Sequence, residues 1–345
     1  MLVSWPVVDQ VFAIAVGSFA VALAFTWLVA KNASRLGLMD VPNVRSSHKL
    51  ITPRGGGLGI VAGVATGILL LAAFGSPPSR PLEILLLGAA AITVLGLIDD
   101  LHPLPAAYRL IGHVVVSTAV VISLGGVGRL PLPPPLDVSI GWVGAPFTVL
   151  WLVSVTNFFN FMDGIDGLAG GQTVASCIGV AIAAWSSGAV EFALVLAAAT
   201  LGFLVLNRPP ARVFLGDAGS TSLGFAIAGL PLLAPTGQQP MALFAVTVGL
   251  ALFLLDPVET LFRLAQAGHR IGTAHRAHSY QLLGWTPLRR RWVAGALVGA
   301  ALVLAIAGGL AYRMHWLAWP AAVVALCAYG VERYLAGQAK LQPPG

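Results

Sequence analysis

The residues best suited to chemistry are aspartates set in short polar segments between long apolar runs. Asp99 and Asp100 stand together in Gly-Leu-Ile-Asp-Asp-Leu-His, at the end of a stretch that reads as a helix. Paired carboxylates there repel one another and face the negative end of the helix dipole, so a nearby cation would relieve both penalties. Without one they are solvated interfacial groups. The segment Asn157-Phe-Phe-Asn160-Phe-Met-Asp163-Gly-Ile-Asp166-Gly-Leu is more specific. On a helix, Asn160 and Asp163, and Asp163 and Asp166, share a face. Gly164 and Gly167 thin the backbone for a close approach. Such a face binds a hydroxylated, aromatic or metal-bearing ligand, or forms a polar seam between helices. Asp217 follows Asn207 in the stretch that runs to Ser220 and precedes a small-residue run. It suits hard Mg²⁺, which takes one or two carboxylates plus substrate phosphates; the simpler alternative is a helix cap.

Two further segments supply cations. Lys49 and Arg54 flank Thr52-Pro53 ahead of Gly55-Gly-Gly-Leu-Gly59. Backbone N–H groups and these cations could cradle a phosphate, although the order is not that of a P-loop. The glycines also allow close helix packing, and both uses can hold. His275-Arg276-Ala-His278-Ser-Tyr280-Gln281 lies in a basic loop. With no third His or Cys beside it for zinc, it reads as a set of donors aimed at a pyrophosphate, or as a solvated loop drawn to anionic lipid.

Positioning these segments falls to membrane helices. The 345 residues are 57% hydrophobic and 9% charged, with a mean hydropathy of +0.88. Lipid must therefore solvate most of the surface. Uncharged stretches at Gln10–Ala30, Gly55–Ser79, Val138–Met162, Gly167–Val190 and Trp292–Tyr312 match the ~20 residues of a span. Shorter runs end near Ile98, begin near Leu110, and occupy Phe192–Asn207 and Met314–Val331. The run Ala218–Leu255 is split in two by Pro231, Pro235, Gly237 and Pro240. The expectation is an all-α polytopic membrane protein of about eleven transmembrane helices, one domain over 1–345, with no soluble domain and no internal repeat. Cys177 and Cys327 sit in apolar runs and read as packing residues. Trp5, Trp142, Trp316 and Trp319 read as interface aromatics.

With the N-terminus outside, sixteen of the nineteen Lys and Arg residues fall in inner loops, leaving Arg80, Arg129 and Arg313 outside. The positive-inside rule accounts for the net charge of +6, and nucleic acid drops out as a partner. The same parity places the segments Asp40–Gly59, Asp99–Arg109, Asn157–Gly167, Asn207–Ser220 and His269–Gln281 on the cytoplasmic face. Reactive groups at one face indicate an enzyme. A cation- or proton-coupled transporter, the alternative, more often carries ionisable residues at mid-membrane.

The five segments, in this order, resemble the polyprenyl-phosphate N-acetylhexosamine-1-phosphate transferase family, the glycosyltransferase family 4 that includes the phospho-MurNAc-pentapeptide translocases. The likeness runs from about Asp40 to Gln281, and the NxxNxxDGxDGL segment is its most specific part. It implies a cytoplasmic-side cleft in the bacterial inner membrane, Mg²⁺ (or Mn²⁺), a UDP-N-acetylhexosamine donor, undecaprenyl phosphate as acceptor and UMP release; a homodimer is left open. By the resemblance, Asp99, Asp100, Asp163 and Asp166 are catalytic and Asp217 holds the metal. Lys49, Arg54, Asn157, Asn160, Asn207, His275, Arg276 and His278 contact substrate. Two departures, His102-Pro103 after the Asp pair and His-Arg-x-His-x-Tyr-Gln in place of a three-His cluster, argue against a muramyl-pentapeptide substrate. They are more similar to the branch that initiates O-antigen, and so lipopolysaccharide, synthesis with N-acetylfucosamine or N-acetylquinovosamine phosphate.

Overall fold

A computed structural model of the chain describes residues 5–42, 50–133, 135–268, 278–283 and 287–340. Its regular elements among the described residues are helices apart from one two-stranded ribbon, β1 (Met39–Asp40) with β2 (Thr52–Pro53), and an isolated bridge between Arg129 and Ser139. The helices are α1 (Trp5–Leu36), α2 (Gly57–Ala73), α3 (Arg80–Leu101), α4 (Ala106–Leu124), α5 (Gly144–Met162), α6 (Leu168–Ala183), α7 (Ser187–Asn207), α8 (Asp217–Gly229), α9 (Gln239–Gly249), α10 (Ala251–Gln266), α11 (Ser279–Leu283), α12 (Pro287–Arg313) and α13 (Ala318–Lys340). Six of them are long and apolar enough to cross a membrane, or seven spans if the bent pair α9–α10 counts as one. The surface agrees with lipid as solvent: Leu69, Leu87 and Ile122 are 70%, 71% and 79% exposed. Trp142 and Trp316 are exposed, as an interface belt requires, and Cys177 is buried in packing. Cys327 is exposed, which corrects its reading as a packing residue.

The long apolar run from Ala218 breaks where the prolines stand, through a 3-10 turn at Leu230–Leu233. A second break was not expected: α9 and α10 meet at Leu250 with a bend of 75°. The break frees carbonyls at the end of α9, and the buried Gln172 amide donates to one of them, Gly249 O, at 3.0 Å. A kink in apolar surroundings needs such a partner. Pro257, within α10, lacks the N–H of an ordinary helix position.

Helix α8 is the centre of the arrangement. It packs against α2, α3 and α5, and every residue from Ala218 to Gly229 is buried. Its small side chains let neighbouring backbones come close, the membrane route to tight packing. A Cβ on Gly57 of α2 would lie 2.2 Å from Gly219 Cα, and one on Gly96 of α3 would lie 2.7 Å from Ala218 Cα. The N-terminus of α8 is thereby held among the ends of its neighbours, where the polar segments lie.

Candidate active site

The C-terminal ends of α3, α5 and α7 meet the N-terminal ends of α4, α6 and α8. Asp100, in the last turn of α3, is buried, and its carboxylate accepts the Asp217 and Ala218 backbone N–H groups, each at 3.0 Å. A carboxylate borrowed from another helix thus caps α8, where the dipole favours negative charge. Arg54 reinforces it: its Nε lies 3.9 Å from Asp100 Oδ1, and its Nη2 donates to the Asp100 carbonyl. Asp99 accepts the Leu104 N–H at 2.6 Å and Arg109 Nη1 at 2.7 Å. The charge stress expected of this pair is relieved by donors of the protein itself.

Arg109, in the first turn of α4, also reaches Asp217 Oδ2 at 3.2 Å. The other oxygen of Asp217 accepts Asn160 Nδ2 at 2.8 Å, and the same amide donates to Ser220 Oγ at 2.9 Å. In the turn between α5 and α6, Asp166 Oδ2 accepts the Ala211 N–H at 2.9 Å. Asp163 differs from the other four aspartates: among the described residues, no hydrogen bond or ion pair reaches its carboxylate. Withdrawal from water, and then the charges of Asp217, Asp166 and Asp100, push it well above the usual carboxylate range.

These groups line a cavity of about 280 Å³. Asp40, Asp100, Asp163, Asp166 and Asp217 contribute acid, Asn160 and Asn207 contribute amides, and Arg54 is the only cation among its described lining residues. Four of the five predicted aspartates therefore share one chamber. Asp99 stands behind it, joined to Asp217 through Arg109.

Other expectations fare differently. Asn157 faces away, 3.1 Å from His113 Nδ1 and 2.7 Å from Val153 O, in a small adjoining pocket. His278 is buried with Nδ1 3.7 Å from Asp256 Oδ1 and its ring near Phe161, and it does not line the cavity. The Gly55–Gly59 cluster does not offer a phosphate cradle: the Gly56 and Gly57 N–H groups each donate at 2.9 Å to Phe214 O and Leu215 O. Close packing is its role. Lys49, His275 and Arg276 lie outside the described residues. Asn207 lines the cavity as a strut, its Oδ1 accepting the Gly167 N–H and its Nδ2 donating to Val213 O, both at 2.9 Å. Asn207→Ala should leave both backbone groups unpaired and cost about 2 kcal/mol, seen as a lower thermal midpoint in detergent; an unchanged midpoint would remove the strut role.

Arg109, Ser220 and Asp40 were missed as site residues. Arg109 had a signal: the short link His102–Pro105 makes α3 and α4 antiparallel neighbours, so a first-turn cation of α4 must lie near Asp99. Ser220 had one too, one helical turn after Asp217 on the same face. Asp40 had none in its local pattern.

The model of "Glycosyl transferase family 4" matches residues 82–234, a stretch that holds all five aspartates. A Bacillus subtilis (strain 168) protein named "Probable undecaprenyl-phosphate N-acetylglucosaminyl 1-phosphate transferase" is 34% identical over 72% of this chain and 69% of its own length. The phospho-N-acetylmuramoyl-pentapeptide-transferase of Halalkalibacterium halodurans is 32% identical over 71% of this chain and 81% of its own. The undecaprenyl-phosphate alpha-N-acetylglucosaminyl 1-phosphate transferase of Escherichia coli (strain K12) is 27% identical over 92% and 88%. With these likenesses spanning the segments that build the cavity, the chain belongs to glycosyl transferase family 4.

Proposed function

We propose that this chain transfers an N-acetylhexosamine-1-phosphate from a UDP-sugar to undecaprenyl phosphate, releasing UMP. The observation that carries this reading is the cavity itself: aspartates from several helix ends face one chamber whose only described lining cation is Arg54. A chamber so acidic repels a pyrophosphate unless a divalent cation enters with it. The donor set fits Mg²⁺ (or Mn²⁺), a hard ion that prefers oxygen and accepts a sparse protein cage. Asp217 and Asp163, whose carboxylate has no partner among the described residues, would hold it. Once bound, the ion supplies charge neutralisation on the phosphates. The remaining work falls to the chain: Arg54 meets phosphate charge, Asp99 holds Arg109 beside Asp217, Asp100 fixes the α8 terminus, and Asn160 orients Asp217. An oxygen of the acceptor phosphate attacks the sugar-linked phosphorus, the bond from that phosphorus to the UMP oxygen breaks, and UMP leaves with the electron pair. Phosphoryl transfer asks mainly for such positioning and charge placement.

The distribution of Lys and Arg supports a cavity open to the cytoplasm in a protein of about eleven spans, and the family likeness supports the bacterial inner membrane. The His275-Arg-Ala-His278-Ser-Tyr-Gln form supports N-acetylfucosamine or N-acetylquinovosamine as the sugar, at the first step of an O-antigen-like polysaccharide. Membership of a transferase family favours an enzyme over the transporter reading. The test is UMP release by the purified protein in detergent with UDP-GlcNAc, UDP-FucNAc and UDP-QuiNAc. Release that requires both a polyprenyl phosphate and Mg²⁺ is expected; no release with any donor would end the reading. Because Asp163 holds its proton above the usual range, Mn²⁺ must displace that proton on binding. Mn²⁺ affinity, read by electron paramagnetic resonance, should therefore keep rising with pH above the usual carboxylate range, and Asp163→Asn should lose part of that slope, Asp217, pushed up to about 7 by burial, supplying the rest. An equal slope in both proteins would exclude Asp163 as a ligand.

A further inference from the structure

The turn that carries Asp163 and Asp166 is held from outside the cavity by one hydroxyl. Tyr280, in α11, is wholly buried, and its Oη donates to Phe161 O at 2.6 Å. That carbonyl belongs to the last turn of α5, where no intrahelical donor remains for it. The same hydroxyl oxygen stands against Gly164, so it holds the end of α5 beside the first residue past Asp163. Gly164 fits it closely: a Cβ there would stand 2.3 Å from Tyr280 Oη, but 3.1 Å from Cζ and 3.2 Å from Cε2.

The tyrosine is in turn fixed by a second carboxylate that the reaction does not use. Asp256, fully buried in α10, accepts the Ser279 N–H at 2.9 Å and the Tyr280 N–H at 3.3 Å, capping α11. Arg333 of α13 donates to Ser279 Oγ at 3.0 Å. Two helices distant in sequence from the cavity, α10 and α13, thus converge on one short helix, whose single contact with the Asp163 turn is made by the Tyr280 side chain among the described hydrogen bonds.

We propose that Tyr280 is a positioning residue for the transfer, its hydroxyl setting the Asp163–Gly164 turn so that Asp163 faces the chamber. The inference rests on the proposed transferase activity and deepens it. Tyr280→Phe keeps the ring in the core and deletes the tie, together with the oxygen to which Gln281 Nε2 donates at 3.2 Å. It should lower kcat about tenfold, leave KM for both substrates and the thermal midpoint nearly unchanged, and speed amide hydrogen exchange in the peptide spanning 160–168. A displaced reacting group costs rate rather than affinity. Gly164→Ala should be slower still, because the new methyl meets the oxygen. The double variant Gly164→Ala/Tyr280→Phe should recover several-fold over Gly164→Ala alone, since the methyl then meets only ring carbons, at 3.1 Å and 3.2 Å, tight contacts that a ring shift of a few tenths of an ångström relieves. Failure of that recovery, or unchanged exchange in Tyr280→Phe, overturns the proposal. The exchange measurement needs no substrate, so an inactive wild-type protein would refute the transferase reading while leaving this one still decided.

Discussion

Asp217→Asn should reduce exchange of labelled UMP into UDP-sugar by at least about a thousandfold, the scale on which removal of a charge-stabilising group acts in such reactions, while the protein still folds. The amide is isosteric, so its oxygen can keep the Asn160 contact at 2.8 Å, and its backbone N–H still donates to Asp100. What is lost is the negative charge beside Arg109. That ion pair is about one-third exposed on both sides, and a pair so open to solvent contributes about 1 kcal/mol or less. Stability and activity should therefore separate widely. Size-exclusion profile and thermal midpoint in detergent, measured with the exchange assay, check this. Exchange retained within tenfold would remove Asp217 from the metal role, and a collapsed profile would show that its charge holds the fold instead.

Gly216→Ala should abolish activity and destabilise the protein together. Gly216 sits at φ +78°, a region costly for any residue with a Cβ, and its added methyl would lie 2.7 Å from Asp100 Oδ2 and 3.0 Å from Gly55 N. Relief of that clash must move the carboxylate that caps α8 or the backbone that meets the chain at 53–57. The backbone term alone is about 1 kcal/mol, and overpacking adds about 1–3 kcal/mol. Gly75→Ala supplies the comparison: its φ of +91° is equally left-handed, but nothing lies within 4 Å of the new Cβ. It should show only the smaller, backbone loss and keep full activity. Equal melting shifts in the two variants would mean that conformation, not the Asp100 contact, governs position 216.

Much of the site was legible because its parts are local. The Asn160, Asp163 and Asp166 spacing pointed to one shared helix face, and the chamber takes all three, but α5 ends at Met162, so Asp163 and Asp166 reach the chamber from a turn rather than from a helix face. Charge parity placed Asp99–Arg109 and Asn207–Ser220 together because antiparallel spans with short links leave alternate ends at the same level. Roles that depend on partners were less visible. Nothing near Asp100 says that it will cap α8, 117 residues onward. His278 and Asn157 look like ligands by residue type, yet burial beside Asp256 and the bond to His113 turn them away from the chamber. The glycines at 55–59 were ambiguous until the carbonyls of 214 and 215 were seen to take their N–H groups.

What this sequence determined by itself is which segments prefer lipid, where they must end, and which acids lie at those ends. Each is set by transfer free energy or by helix periodicity over a few turns, and needs no knowledge of distant neighbours. What only the tertiary structure decided is how charge is divided among the aspartates. Asp99, Asp100, Asp166 and Asp217 receive donors from other elements, and Asp163 is left facing the cavity without one among the described residues. Five side chains of nearly one chemistry differ in function because a buried carboxylate takes its properties from whatever donors stand within about 3 Å, and those are chosen by packing.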